Sequence, residues 1–222
     1  MRPLSALAIF AACLCSGTSL AGDDKAPRPA AVGTAVVREM NLARQHPEIY
    51  AGFLEQWRTQ FRGNLRVWPG HLRLRTREGI SAVDEAVRFL HHTRPLRPLA
   101  FSTGIALAAT DHVTDQANGA MGHKGSDFSN AGERMNRYGT WHTLWGENIA
   151  YGHDTARDIV LALIVDDGQR ARKHRKNIFN PAFTCAGAAV GPHARYRTVC
   201  SMDFAASYIE AGAGLGSLVA RN

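Results

Sequence analysis

Two stretches decide how this chain is read: Trp145-Gly146-Glu147-Asn148-Ile149-Ala150 and, after it, Lys173-His174-Arg175-Lys176-Asn177-Ile178-Phe179. The first sets a carboxylate in a strand-like run that ends in apolar residues. The second sets an imidazole in a polar, cationic segment. Upstream, Met121-Gly122-His123-Lys124-Gly125 supplies another imidazole, and Glu133 another carboxylate. Such groups hold transition metals and move protons. They lie in separate segments and lack the His-Glu-x-x-His spacing of a helical zinc site. A site therefore exists only if the fold gathers them into one cleft.

Outward from these segments the pattern is mostly helical at first. Val36, Val37, Met40 and Ala43 recur at helical spacing, and His46-Pro47 ends that run. Ile49 to Phe61 predicts a second amphipathic helix with Tyr50, Phe53, Leu54, Trp57 and Phe61 on one face. Residues 62–79 are expected to form a loop, marked by Gly63-Asn64 and Pro69-Gly70. Ser81 with Asp84 three residues on has the form of a capping box for the next helix. Ser102 opens another helix, with Ile105, Ala108, Ala109, His112 and Val113 inward, which Gly119 closes. Asn130 to Gly139 holds a short helix, Thr143 to Tyr151 a strand, and Thr155 to Asp166 the most apolar helix. Two final strands, Cys185–Val190 and Tyr196–Phe204, are joined by a turn at Gly191-Pro192-His193-Ala194-Arg195. Helices first and a hairpin last, with few strands in all and a small antiparallel sheet, suit an α+β or three-layer α-β-α domain.

The chain has 222 residues, 45% of them hydrophobic and 20% charged, which fits one globular domain of ordinary composition. Its formal net charge of +7 is spread out, the densest run being Arg170, Arg172, Lys173, Arg175 and Lys176. No Lys/Arg block of nucleic-acid length appears, and the run reads as a solvated basic face, with a phosphate or acidic-surface partner as the rival reading. The N-terminus has Arg2, an apolar run from Leu4 to Leu14 and small residues before Gly22. Residues 1–21 read as a secretory signal peptide cut after Ala21, too short to span a bilayer. Lipid attachment at Cys13 is the rival reading, and Phe10 suits it poorly. Residues 22–35 are expected to be a flexible lead-in, 36–209 the domain, and 210–222 a flexible tail. Secretion or a periplasmic location follows. Two cysteines remain after cleavage, Cys185 and Cys200. On the expected hairpin they meet, and in an oxidising compartment they are expected to be bonded.

Taken together, Asn41 and Arg44, Leu96–Leu99, Ala108, His112, Gly122-His123, Glu133-Arg134, Gly146-Glu147-Asn148-Ile149-Ala150, His174-Arg175-Lys176-Asn177-Ile178 and the hairpin resemble the CAP superfamily. This is the SCP domain of cysteine-rich secretory proteins, antigen 5 and pathogenesis-related 1 proteins. The resemblance runs from Val36 to Tyr208 and is to a compact, secreted, bacterial-type member. It implies an α-β-α sandwich whose cleft holds two histidines and two acids, by position His123, Glu133, Glu147 and His174. It also implies a divalent ion, zinc first, on His123 and His174 in some members, sterols or fatty acids in others, and proposed protease activity in a few. The segment Gln56 to Leu90 is longer than in compact bacterial members. Lys173 stands where many members have a small residue.

Three functions follow in order: a secreted binding module with a metal-holding cleft, a metal-assisted hydrolase with Glu147 as general base, and a sterol or lipid carrier. The partner is a small ligand, a lipid or a cell-envelope component. No nucleic acid is expected, and the protein is taken as a monomer. Glu147 is expected to orient a cleft histidine, as carboxylates behind metal ligands do. His112 is read as a hydrogen-bonded core residue, and His142 and His153 as loop residues outside the site. Asp166 and Asp167, acids at a helix C-terminus where the dipole disfavours them, are expected to bond the following arginines, with a cation as the rival reading. Ser126 and Ser129 lack a nucleophile elbow.

Overall fold

The computed structural model describes residues 29–68 and 73–212. The signal segment 1–21 and Cys13 lie outside these residues, as does most of the tail. The first described element is helix α1 (Pro29–Gln45), which starts seven residues before the expected Val36, and α2 (Pro47–Arg58) follows it. Pro47 at the first position of α2 explains the sharp break: its fixed φ suits a helix start and its missing N–H is not needed there.

Residues 61–75 hold more structure than the expected loop. Strands β1 (Phe61–Arg62), β2 (Leu65–Arg66) and β3 (Leu74–Arg75) form a three-stranded antiparallel minisheet turning at Gly63-Asn64. Its anchor is Arg66, buried between the rings of Trp57 and Trp68 at 4.2 and 3.9 Å and bonded to Asp158 at 3.0 Å. Helix α3 (Ile80–His91) follows. Its N-cap is Gly79, at φ 63°, and no side chain caps it. Ser81 instead donates to the Glu78 carbonyl at 2.7 Å, so the capping box expected there is absent.

The main sheet comprises β4 (Ala100–Phe101), β5 (Gly139–Tyr151), β6 (Cys185–His193) and β7 (Arg197–Glu210). Its order is β4-β6-β7-β5, antiparallel except for the short β4, which runs parallel to β6. Alternation along the strands separates two cores. Ala186, Ala188, Cys200, Met202 and Phe204 pack with α1, α2, α3 and α6 (Ala156–Val165). Cys185, Ala189, Val199 and Ala205 pack with α4 (Thr103–Gln116) on the opposite face. Two glycines let the layers close on β6. A Cβ on Gly33 would drive into the Ala188 carbonyl, and one on Gly187 into the α4 backbone at Ala106. The α-β-α sandwich is thus present as expected.

Asn41 and Arg44 serve this packing. The Asn41 amide exchanges two bonds with the Leu99 backbone, at 2.9 and 2.7 Å. The buried Arg44 guanidinium donates to the carbonyls of Arg97, Ile178 and Asn180 at 2.6–3.1 Å. One helix face thereby fixes two distant loops.

The disulfide expectation fails on register. Cys185 lies opposite Ala205, and Cys200 opposite Val190. Five strand positions at about 3.3 Å each separate them, beyond the roughly 7 Å Cα limit of a disulfide. They also face different cores, and both are free, buried thiols. The hairpin turns at residues 194–196, centred two residues later than expected, and this slides every partner.

Candidate functional site

His123 lies in the loop after α4, just past Gly122, whose φ of 106° is open to glycine and strained for other residues. Short helix α5 (Ala131–Met135) follows, and it builds the ground under this loop. Arg134 on α5 is fully buried. Its guanidinium donates to the Ser129 carbonyl at 2.9 Å, to the His123 carbonyl at 3.4 Å, and to Glu147 Oε1. Glu147 Oε2 in turn meets His123 Nδ1 at 2.6 Å. The Glu147 side chain is only 3% exposed, whereas the His123 ring is 60% exposed. A buried carboxylate thus sits between a buried cation and an exposed imidazole.

His174 lies on α7 (Lys173–Ile178) and is held differently. Its backbone N–H donates to Asp166 Oδ2 at 2.9 Å, and its Nδ1 meets Asp166 Oδ1 at 2.7 Å. Asp166 ends α6 in the left-handed region, φ 54°, which turns its side chain back toward α7. Its neighbour Asp167 accepts from the N–H groups of Arg77, Glu78 and Gly79 at 2.6, 2.7 and 3.3 Å. The arginine partners expected for this acidic pair are therefore corrected. Both carboxylates serve His174 and backbone amides, and Arg172 donates to the Asp166 carbonyl at 2.8 Å.

Two asparagines join the halves. Asn148 Nδ2 donates to the His174 carbonyl at 3.0 Å, and Asn177 Nδ2 donates to Asn148 Oδ1 at 2.8 Å and to the Glu147 carbonyl at 3.2 Å. This stitching is why the Gly-Glu-Asn segment and the His-Arg-Lys-Asn segment matter as a pair. His123, Glu147 and His174 then line one open cavity of about 450 Å³ with Gln169, Lys173, Lys176 and Asn177. Each imidazole has Nδ1 bonded to a carboxylate, which leaves Nε2 as its unbonded nitrogen among the described residues.

Glu133 does not join them. It is exposed and completes a capping box on α5, its carboxylate accepting the Asn130 N–H at 2.7 Å while Asn130 accepts the Glu133 N–H at 3.0 Å. A helix start uses this acid, and Asp166 and Arg134 are the charged groups that the sequence reading missed. The adjacent Glu133-Arg134 pair was the available signal.

Beneath Glu147 the interior is polar. His112 Nε2 lies 3.8 Å from Glu147 Oε1 and 2.9 Å from the Gly122 carbonyl, and burial lowers its pKa; it is a hydrogen-bonded core histidine, as expected. Asp203 stands directly across from Glu147 on β7, fully buried, with neither carboxyl oxygen bonded. Burial first, then the Glu147 charge, pushes its pKa well above the carboxylate range, and Arg134 offsets this only in part. His153 lies outside the cleft, with its pKa lowered to about 4 by burial.

Beside the cleft is a more apolar pocket of about 310 Å³. Trp57, Phe61, Leu74, Ile149, Leu163 and Val165 supply apolar walls, and it shares Gln169 and His174 with the cleft. The minisheet forms one side of it, which gives the long segment between α2 and α3 a place in the site's surroundings.

Residues 37–204 match the family model described as "CAP: Cysteine-rich secretory protein family". The uncharacterized protein YkwD of Bacillus subtilis (strain 168) is 30% identical over 93 residues, 41% of this chain and 34% of that protein. The chain therefore spans about a third of the length of the curated relative it matches. An SCP-domain extracellular protein of Bacillus anthracis str. Ames is 24% identical, with a TM-score of 0.40 over 57% of this chain and 37% of that one. An outer surface protein of Borrelia burgdorferi is 15% identical, with a TM-score of 0.42 over 50% of this chain and 78% of that one.

Proposed function

Because this chain belongs to the cysteine-rich secretory protein (CAP) family, we propose that it acts as an extracellular binding module whose ligand enters the cleft of His123 and His174. One observation carries the reading: both imidazoles are locked through Nδ1 by buried carboxylates and line the same cavity. Metal-binding imidazoles are oriented in this way. The two Nε2 atoms are the donors that would hold a divalent ion, zinc first. Among the described residues no three His, Cys, Asp or Glu side chains group around a metal position, so water or ligand atoms would complete its shell. A bound ion would supply a Lewis-acid contact for a ligand oxygen.

Glu147 is committed to Arg134 and His123, which favours an orienting role over that of a base and places binding ahead of hydrolysis. Zinc uptake by equilibrium dialysis, wild type against His123→Ala/His174→Ala, tests this. Loss of uptake in the double variant is expected, and equal uptake by both proteins ends the two-imidazole reading. A second reading, carriage of a sterol or other lipid, is favoured by the apolar pocket beside His174. Binding of a labelled sterol that Leu163→Glu leaves unchanged would remove it.

The signal-like segment of residues 1–21 supports the extracellular placement. Among the described residues no helix is long and apolar enough to cross a membrane. Sequencing of the exported protein is expected to begin at Gly22, and an intact Met1 would count against secretion.

A further inference from the structure

The chain carries four lysines against 22 arginines. Three of the four flank the site histidines: Lys124 follows His123, Lys173 precedes His174, and Lys176 lies just beyond. Lys173 and Lys176 line the cleft cavity. All three are exposed, and none forms an ion pair among the described residues. Arg134, Arg172 and Arg175, close to them in sequence or space, are each paired with a carboxylate.

The acids at the cleft are already engaged. Glu147 lies against Arg134 and His123, and the Asp166 carboxylate accepts from the His174 backbone and meets its ring. Asp203 is buried with neither carboxyl oxygen bonded among the described residues, where a charge would be costly. The charges exposed in the cavity wall are therefore the ammonium groups of Lys173 and Lys176, with the buried Asp166 carboxylate behind His174.

We infer that the cleft takes an anionic ligand, whose carboxylate or phosphate group is held by the ammonium groups of Lys173 and Lys176 beside the two imidazoles. This rests on the cleft being the binding site and names the class of ligand it takes. Lysine suits such a ligand, because its compact charge on a flexible stem meets an oxyanion from many directions, whereas arginine imposes a planar fork.

The test is calorimetric titration of the whole chain with inorganic phosphate, phenyl phosphate and benzoate, at fixed ionic strength with a chelator present. Saturable binding of at least one anion is expected, and phenyl phosphate against benzoate tells which oxyanion is preferred. Lys173→Glu/Lys176→Glu is expected to weaken it about tenfold or more, while the charge-matched Arg38→Glu/Arg94→Glu leaves it unchanged. Equal loss in both variants, or no saturation below about 10 mM, overturns the proposal. Both lysines are exposed, so unchanged melting checks that the variants fold. Wild type, assayed for both zinc uptake and anion binding, separates the two readings. Anion binding without zinc uptake breaks only the imidazole reading, and zinc uptake without anion saturation breaks only this one.

Discussion

His123 and His174 are each held through Nδ1 by a buried carboxylate, at 2.6 and 2.7 Å, yet the carboxylates are kept in place by different means. Glu147 has a full counter-charge, the buried Arg134 guanidinium, supplied by a separate helix. Asp166 relies on a left-handed turn and the His174 amide. In the first half the charge balance is the support; in the second it is backbone geometry. Two matching imidazoles therefore need not share a failure mode. Losing the buried cation of the first half should cost stability, and losing the acid of the second should mainly misdirect a ring.

The sharpest way to break the comparison is Arg134→Met. It leaves Glu147 charged and unpaired in the interior, and denaturant titration is expected to show a loss of about 3–5 kcal/mol. A loss under about 1 kcal/mol, on the scale of a surface pair, would remove the distinction. In the other half, Asp166→Asn keeps shape but changes what His174 Nδ1 meets. Zinc affinity is expected to fall about 10–100-fold with modest change in melting. Equal affinity would show that Asp166 does not orient the ring.

Asp203 sharpens the first half. Its raised pKa means that folding holds a proton the unfolded chain releases, so Asp203 contributes less stability as pH rises above the ordinary carboxylate range. Asp203→Asn removes that dependence. The variant is expected to gain about 1–3 kcal/mol over wild type at pH 8 and little at pH 4. A gain that is the same at both values would mean the carboxyl is not held neutral. The smallest effect expected is none at all: reductant should leave melting unchanged, because Cys185 and Cys200 face different cores. A drop would require a different register for β6 and β7.

The helices and the hairpin were legible in the sequence from local signals, and the layering and the pairing of the two halves from the family resemblance. Helical spacing marked α4 and α6, Ser102 marked a cap, and the two asparagine-bearing segments stood out. What escaped depended on geometry that no local pattern carries. Asp166 reaches His174 because one residue adopts the left-handed region, and a charged residue at a helix end gives no sign of that. Arg134 appears in the sequence as one cation among many, and only its burial reveals its role. Glu133 was assigned to the cleft when its spacing from Asn130 already had the form of a capping box. The hairpin was found but not its register. Moving a turn by one residue slides the opposing partner by two, so a small error in the turn separated the two cysteines by the length of a strand.

Asp166 and Asp167 are adjacent, yet one orients His174 and the other pins the amides of Arg77, Glu78 and Gly79. A single peptide unit therefore connects the ring to the segment between the minisheet and α3. Deuterium uptake at those three amides, remote in sequence from either histidine, becomes a gauge of occupancy: a ligand that tightens the His174 ring should slow exchange there.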